Sequence, residues 1–475
     1  MAHAVNAARV LSVSCRPSSS PVSSVRARTR IHRAVVGSAS FSSASGFQQL
    51  RPGPTLRTAA RAGGAFGQRL TPTLRFAPRA SKPAQARYST STPQPSTKFV
   101  YNVAASYIAK GRAFDPSTHV FQFNPYHRVQ PPKTRRGKAS RPESGQDAFF
   151  VSRLGANPDE VALGVADGVG GWMDSGVDPA DFSHAFCDYM AAAAAAATAP
   201  AEAAGKRLTA RQLMQEGYEA VCHDPTIKAG GSTAIVGLLT AEGVLEVANL
   251  GDSGFILLRL NGVHAFSEPQ THAFNTPYQL SVVPPSMLLR AAAFGGARLM
   301  DQPRDAEVTR LRLHHGDVLV FASDGLWDNL FNQDVLRIVS RTMARAGAWA
   351  TTERGVQVTP DLRPYTAPGE AAAADSTPSA GSQQQQQQEP YRTNTTTLQS
   401  MLATEIVGAA KAASVSQTLD GPFAKEVNRY YPHEVWHGGK EDDICAVVVL
   451  VSEEEGPAAT TTAAAAAAAA PKAKL

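Results

Sequence analysis

Acidic residues are missing from the first 114 positions of this 475-residue chain. That stretch holds 14 Arg and 3 Lys without one Asp or Glu, which leaves 29 basic and 40 acidic residues for the remainder. The isoelectric point of about 9.1 therefore reflects the leader alone. Because the rest of the chain is mildly acidic, we expect no nucleic acid among its partners.

The leader, residues 1–98, is rich in Arg, Ser and Ala. That composition is typical of a mitochondrial presequence, although chloroplast transit peptides and basic tails that direct no import share it. A secretory signal is not expected, because no apolar run of about 7–15 residues follows a basic start. We predict a mitochondrial protein.

Cysteine is scarce, and its spacing excludes two kinds of site. The four cysteines, Cys15, Cys187, Cys222 and Cys445, form no C-x-x-C pair. A disulfide framework and a thiolate metal site are therefore not expected.

The chain also lacks a run of about 18 apolar residues, so no transmembrane segment is predicted. The oligomeric state stays open.

Three segments of biased composition divide the chain. They are the leader 1–98, a Pro-, Ala-, Ser- and Gln-rich block at about 347–395 and an Ala-rich tail at 454–475. Such segments bury too little apolar surface to offset the entropy of ordering. We therefore predict one domain over residues 99–453, interrupted by the block as a surface insertion.

Hydrophobic periodicity predicts strands and helices in alternation within this domain. The predicted strands are Val161–Ala166, Thr233–Thr240, Val244–Leu250, Gly254–Leu260, Glu307–Leu313, Asp317–Ala322 and Ile444–Val451, and the predicted helices are Pro179–Thr198, Leu208–Cys222, Gln333–Met343 and Thr397–Ser414. Short turns between neighbouring strands favour antiparallel pairing, and nearly continuous apolar strands require cover on both faces. Two packed sheets with helices outside satisfy both conditions.

One local pattern recurs in which an apolar strand ends and an Asp follows, usually beside Gly. It occurs at Asp167, Asp252 and Asp324, and in mirror form Asp442 and Asp443 precede the last strand. A single Asp-Gly is usually a turn. Carboxylates gathered at one end of a sheet, however, repel one another and require cations. Oxygen ligands without His or Cys favour Mg²⁺ or Mn²⁺, which can activate water for attack on phosphorus.

Taken together, these motifs resemble the metal-dependent protein phosphatase family of the phosphatase 2C type. The matching blocks are Gly145–Ala148, Gly164–Trp172, Gly230–Thr233, Ala248–Gly254, Phe321–Asn329 and Lys440–Val449. The resemblance implies an α+β fold, a four-layer α-β-β-α sandwich of two mainly antiparallel sheets flanked by helices. It also implies two Mg²⁺ or Mn²⁺ ions, with a weaker third in some members, and hydrolysis of phosphoserine and phosphothreonine in protein substrates by a bridging water.

The resemblance also implies roles for individual residues. Asp167 matches the Asp that bridges both ions, Asp324 and Asp442 match further ligands of the first ion, and these three are the predicted catalytic residues. The other implied metal positions are the Gly168 carbonyl, Asp252 for the third ion, and Asp147 as the remaining carboxylate around the second ion. Asp443 matches a hydrogen-bonding neighbour more closely than a ligand.

Some positions depart from the family pattern or have two interpretations. Gln146 replaces a usual Glu, which predicts a weaker second ion site, and Val169 replaces a His that could protonate the leaving group. Arg141 is a candidate phosphate contact, one residue off the expected spacing.

His272 and Tyr278 either line a substrate groove or pack a loop. His437 is expected to be a solvated turn residue, and Trp172 and Trp327 to pack beside the metal loops.

Several variant motifs resemble the mitochondrial branch of this family, of which the fungal phosphatase 2C homolog 7 is the type. They are Gly164–Trp172, His272–Leu280 and Asp420–Ala424. The branch implies dephosphorylation of matrix proteins, including ubiquinone-biosynthesis factors. Two other functions stay open: a pseudophosphatase that binds and regulates, suggested by Gln146, and a two-metal hydrolase of small phosphate esters.

Overall fold

A computed structural model describes residues 97–123, 138–197, 207–294, 300–367, 396–433 and 435–455. Nearly all of the predicted leader, the Gln-rich part of the predicted insertion and the Ala-rich tail lie outside these ranges. The first and last strands reach two residues beyond the predicted limits of the domain, because Thr97–Ile108 pairs along its full length with Ile444–Glu455.

The strands of the described residues range from two-residue loop pairings to the 12-residue β1 and β17. In chain order they are β1 (Thr97–Ile108), β2 (Val120–Gln122), β3 (Asp147–Leu154), β4 (Asn157–Asp167), β5 (Gly230–Ser232), β6 (Ala234–Leu239), β7 (Val244–Leu250), β8 (Gly254–Arg259), β9 (Gly262–Phe266), β10 (Thr271–Ala273), β11 (Thr276–Pro277), β12 (Leu280–Val282), β13 (Glu307–Arg312), β14 (Val318–Ala322), β15 (Trp349–Thr352), β16 (Gly355–Val358) and β17 (Ile444–Glu455).

The helices follow in the same order along the chain. They are α1 (Pro179–Ala196), α2 (Ala210–His223), α3 (Pro285–Phe294), α4 (Asp324–Trp327), α5 (Asn332–Ala346), α6 (Arg363–Thr366), α7 (Leu398–Ser414) and α8 (Pro422–Tyr430). Short 3₁₀ turns lie at Lys138–Ser140, Gly170–Ser175 and Pro303–Asp305. At the start of α2 the Thr209 side chain and Gln212 cap each other's backbone amides, which fixes where the helix begins.

Two antiparallel sheets form the centre of the fold. One has the order β2-β1-β17-β14-β8-β9, and the other has the order β13-β7-β6-β4-β3. The predicted strands and their antiparallel pairing are confirmed, while β1, β2, β3 and β9 of these sheets were not predicted as strands. Among the described residues no helix is long and apolar enough to cross a bilayer.

Alternation along the strands explains why the sequence looks continuously apolar. In β17, Cys445, Val447 and Val449 face the core between the sheets, whereas Val448 and Leu450 face the core under α5 and α7. A third core packs α1 and α2 against the other sheet. Both faces of each sheet are therefore covered, which confirms the four-layer α-β-β-α sandwich.

The predicted start of the insertion near Gly347 is wrong. Gly347 ends α5 in the left-handed conformation, and the chain continues into the hairpin β15–β16 and then α6. Trp349 and Leu362, only 2% and 1% exposed, pack into the core under α5 and α7. Two apolar residues of this mostly polar segment, Trp349 in the hairpin and Leu362 just before α6, bury enough apolar surface to order it.

Candidate metal centre

The sheet topology brings the predicted carboxylates to one end of the sandwich. Asp147 begins β3 and Asp167 ends β4, and the two residues are directly paired across these strands. Asp252 lies in the turn between β7 and β8, and Asp324 begins α4, two residues after the end of β14. Asp442 precedes β17, whose first residues pair with the end of β14. Both sheets therefore supply acids to the same place.

Burial and mutual repulsion set the electrostatics of this cluster. Burial is the first cause of the raised pKa values of Asp147, Asp167 and Asp252. Repulsion by a neighbouring carboxylate is the second: Asp443 acts on Asp147, Asp147 on Asp167, and Asp324 on Asp252. The cluster is therefore stable in its ionised form only with added positive charge.

Lys440 supplies one such charge. Its Nζ donates to Oδ2 of Asp324 and of Asp328 at 2.6 Å each, and lies 3.1 Å from Oδ2 of Asp442. Burial acts to raise the pKa of Asp324, but the Lys440 charge and the side-chain hydrogen bonds with Lys440, Asp167 and Asp328 together lower it. At Asp328 burial prevails over the same ammonium and raises the pKa to about 7.

Backbone N–H groups hold Asp443, although its carboxylate still repels Asp147. Its Oδ1 accepts from the Lys110 backbone N–H at 2.6 Å, and its Oδ2 accepts from the Gln146 N–H at 2.8 Å. This arrangement agrees with the predicted role of a hydrogen-bonding neighbour. It also ties the loop before β3 to the loop before β17, so that Asp147 and Asp442 are positioned together.

Other contacts fix the loops that hold Asp147 and Asp167. The Ser323 hydroxyl donates to Asp147 Oδ2 at 2.6 Å, which orients that carboxylate. The Gln146 side chain reaches Met173 Sδ at 3.2 Å rather than an acid. A Cβ on Gly168 would lie 2.9 Å from Pro179, so only glycine fits where β4 turns into the loop.

The donor set fits a hard divalent cation. Oδ1 of Asp147 and Oδ1 of Asp252 are buried without a hydrogen-bond partner, which is costly unless a cation binds them. Every predicted ligand atom is oxygen, as Mg²⁺ and Mn²⁺ prefer. In the described part of the chain, however, no three His, Cys, Asp or Glu side chains already converge as a ligand cage. Lys440 stands between the acids instead.

The remaining predicted residues have structural partners. Arg141, whose side chain is 9% exposed, donates to Asp181 Oδ1 at 2.7 Å, while its buried Nε has no partner. His272 stacks on Tyr278 with centroids 4.3 Å apart and contacts Asp301 at 2.9 Å. This pairing favours loop packing for His272 and Tyr278.

The side chains of Trp172, Trp327 and His437 also contact neighbouring loops. Trp172 Nε1 donates to Gln279 at 3.0 Å, and Trp327 Nε1 donates to the Ala322 carbonyl at 2.9 Å. His437 is exposed and lies 3.0 Å from Asp420, as expected of a turn residue.

Sequence reasoning missed Lys440, Asp328 and Ser323. Asp328 was detectable, because it lies four residues after Asp324 and one helical turn places it on the same side. Lys440 carried no such signal, because a Lys two residues from a candidate ligand is ordinarily a solvated side chain.

A cavity of about 470 Å³ opens beside the acids. Asp252, Asp324 and Asp328 lie on one side of it, and its apolar lining includes Phe274, Trp327, Phe331 and Phe423. Phe274 and Phe423 also contact each other, with ring centroids 5.6 Å apart. The cavity is large enough for a peptide side chain that reaches toward the carboxylates.

Comparison with known proteins identifies the type of domain. Residues 136–356 match the family model of Protein phosphatase 2C. This range contains Asp147, Asp167, Asp252 and Asp324 and ends before Asp442. The chain therefore contains a protein phosphatase 2C-type domain.

The chain is also similar in sequence to individual phosphatases of this type. The chain is 36% identical over 207 residues to Protein phosphatase 2C homolog 7, mitochondrial, of Saccharomyces cerevisiae, covering 43% of this chain and 59% of that protein. It is 40% identical over 189 residues to Protein phosphatase PTC7 homolog fig of Drosophila virilis, covering 39% and 55%. The chain thus spans less than two thirds of these relatives. A solved structure, the photosystem II phosphatase PBCP, is 21% identical with a TM-score of 0.45, covering 74% of this chain and 98% of that one.

Proposed function

We propose that this chain, which contains a protein phosphatase 2C-type domain, is a metal-dependent protein serine/threonine phosphatase. One observation carries the proposal: buried carboxylates from both sheets meet at one end of the sandwich, and two of their buried oxygens have no hydrogen-bond partner. A cluster of this kind costs folding free energy without a bound cation, so its presence points to metal chemistry.

The assignment of ligands follows the family pattern and the donor chemistry. Asp167 would bridge two Mg²⁺ or Mn²⁺ ions, Asp324 and Asp442 would complete the first site, and Asp147 with the Gly168 carbonyl would serve the second. When bound, the ions would activate water for attack on phosphorus and neutralise charge on the phosphoryl oxygens. The hydrogen bond from Ser323 would keep Asp147 in place for the second ion.

The protein's other groups would orient the substrate. Arg141 has a buried Nε without a partner and lies near the loop that leads to Asp147, so its guanidinium would contact a phosphate once Asp181 releases it. The cavity lined by Phe274 and Phe423 would hold a substrate side chain next to the phosphorylated residue. Val169 offers no proton, so the leaving-group acid must come from elsewhere in the site.

We further propose that the enzyme acts on phosphoproteins of the mitochondrial matrix, ubiquinone-biosynthesis factors among them. The acid-free leader and the name of the yeast relative support this location. Residues 1–98 fused to a fluorescent protein should direct it to mitochondria. The phosphoproteome of isolated mitochondria should show increased phosphorylation of direct substrates when the gene is deleted, and a diffuse cytosolic signal from the fusion would contradict the location.

The activity is tested with the full chain, Mn²⁺ and a phosphoserine peptide. Turnover should require the metal and should fall by roughly 10²–10³-fold in Asp324→Asn, because a charged ligand of the first ion is replaced by a neutral amide and the charge stabilisation at the reacting centre is weakened. Glu353→Gln, which removes one exposed charge in the β15–β16 turn, is the matched control and should keep full activity.

Two outcomes would favour the other functions. Turnover of the wild type that is no higher than that of Asp324→Asn would indicate a pseudophosphatase. Hydrolysis of small phosphate esters with no activity on phosphopeptides or phosphoproteins would indicate a metabolite phosphatase.

A further inference from the structure

The cavity beside the candidate centre has a lining with charges of one sign. Its charged side chains are all acidic, with no Lys, Arg or His among the described residues that line it: Asp252, Glu268, Asp324, Asp328 and Glu426. Aromatic rings line the same space, among them Phe266, Phe331 and Phe423. Carboxylates beside aromatic faces suit a side chain that has an apolar stem and a positive end.

The acids deepest in the lining already have partners or assignments. Asp324 is assigned to the first ion, and Asp252 matches a ligand of a weaker ion. Asp328 accepts a hydrogen bond from the Lys440 ammonium at 2.6 Å. The charges of these three residues are therefore used within the centre, and they leave little attraction for a substrate group.

Glu268 and Glu426 have no such role. Glu268 lies in the loop between β9 and β10, and Glu426 lies in α8, so two separate elements bring these carboxylates to one cavity. Both residues are exposed, and no ion pair joins Glu268 to another described residue. Phe266, in the same lining, is 48% exposed, which leaves an aromatic face open beside the free carboxylates.

The nearby cations of α8 offset this charge only in part. Arg429 Nη2 lies 3.9 Å from Glu426 Oε1, and both side chains are more than half exposed, so this pair is weak. Lys425 Nζ lies 4.2 Å from the centroid of the Phe331 ring. A ring of the lining thus already accommodates an ammonium group of the protein itself, as a cation–π contact.

We infer that this cavity binds the side chain of a Lys or Arg close to the phosphorylated residue, and that Glu268 and Glu426 determine this specificity. The inference rests on the proposed phosphatase function and names a class of substrate for it: phosphoproteins with a basic residue near the phosphoserine or phosphothreonine. The phosphate and the basic side chain carry opposite charges and bind at adjacent places, which fixes the direction of the bound peptide.

The test is the hydrolysis of matched phosphoserine peptides by the full chain with Mn²⁺. One position at a time, within three residues of the phosphoserine, carries Arg, Lys, Gln, Leu or Glu. At the best position kcat/KM for the Arg and Lys peptides should exceed that for the Gln peptide at least about fivefold. The difference should lie mainly in KM, because the contact is remote from the reacting atoms. It should shrink at high salt, because the two glutamates are exposed.

The controls separate a local contact from general attraction to an acidic protein. A peptide with the same Arg moved about ten residues away has the same net charge and should be hydrolysed like the Gln peptide. Glu268→Gln combined with Glu426→Gln should reduce the ratio of Arg to Gln peptide to about twofold or less. Glu353→Gln, in the β15–β16 turn, should keep the wild-type ratio. Urea unfolding confirms that each variant is folded.

Several results would overturn the inference and leave the phosphatase proposal intact. They are equal kcat/KM for all peptides, a preference for Leu over Arg, and a preference for Arg that persists in the double variant. A wild type that hydrolyses none of the peptides, nor any phosphoprotein, would overturn both proposals.

Discussion

Replacing Gly145 with alanine should disrupt the centre without touching a candidate ligand. Gly145 has a φ of +68°, and a Cβ added there would lie 2.1 Å from Asp443 Oδ1 and 2.3 Å from its Cγ. The Asp443 carboxylate would have to move, and it would then lose its hydrogen bonds from Lys110 and Gln146. The loop before β3, which carries Gln146, would then no longer be tied to the loop before β17, which carries Asp442.

The size of the effect follows from two contributions. A positive φ costs an alanine about 1–2 kcal/mol. Each of the two hydrogen bonds to the charged Asp443 is worth about 1.5–3 kcal/mol. The free energy of unfolding of Gly145→Ala should therefore fall by about 4–8 kcal/mol, and Mn²⁺ should bind more weakly because Asp147 lies two residues away.

Gly111→Ala is the matched control. Gly111 has nearly the same φ, +73°, but nothing lies within 4 Å of the position of its added Cβ. Its cost should be the backbone contribution alone, about 1–2 kcal/mol. Urea unfolding and Mn²⁺ titration of both variants decide the matter. Equal losses of stability in the two, with unchanged Mn²⁺ affinity in Gly145→Ala, would show that the Asp443 contacts do not organise the centre.

Two further predictions concern the hairpin and the acids. Trp349→Ala should lower the free energy of unfolding measured in urea by about 3–5 kcal/mol, because a buried ring is lost. Deletion of residues 370–393 should change it by less than about 1 kcal/mol. Equal changes in the two variants would instead support an insertion that begins near Gly347. Burial raises the pKa of Asp328 to about 7, so the metal-free native state binds more protons than the unfolded chain between pH 4 and 7. Its stability should therefore fall as pH rises through that window, by up to about 4 kcal/mol from this group. Melting in EDTA at pH 5 and pH 8 checks the sign, saturating Mn²⁺ should reduce the difference, and a higher melting temperature at pH 8 in EDTA would contradict it.

The strand ends were predictable because each carries its own signal. A buried strand must be apolar, and Asp167, Asp252 and Asp324 interrupt such strands at the point where the backbone turns. Their convergence followed from antiparallel pairing and the family resemblance. The strand β1 lacks this signal: Thr97–Ile108 begins beside the leader, contains Asn102 and Ser106, and becomes a central strand only through its pairing with β17.

Lys440 and the β15–β16 hairpin were missed for a different reason, because both depend on partners distant in the chain. Lys440 is 116 residues from Asp324, and only the antiparallel pairing of β14 with β17 brings them within hydrogen-bonding distance. Trp349 lies among small and polar residues, with Ala348 and Ala350 beside it and Thr351 next, and its burial depends on α5 and α7. Local composition cannot indicate burial that tertiary contacts create.

The repulsion among the acids must be overcome by packing, since Lys440 offsets only part of it. Asp167 ends β4 of one sheet and Asp324 lies two residues after β14 of the other, so their separation is fixed by the core between the sheets. In that core the Phe321 ring stacks on Phe255 with centroids 5.8 Å apart and lies over Gly237, where an added Cβ would be 2.9 Å from the ring. The apolar contact of the two sheets therefore holds the carboxylates together before any ion binds. Bound cations would relieve part of the repulsion among the carboxylates and so stabilise the folded state.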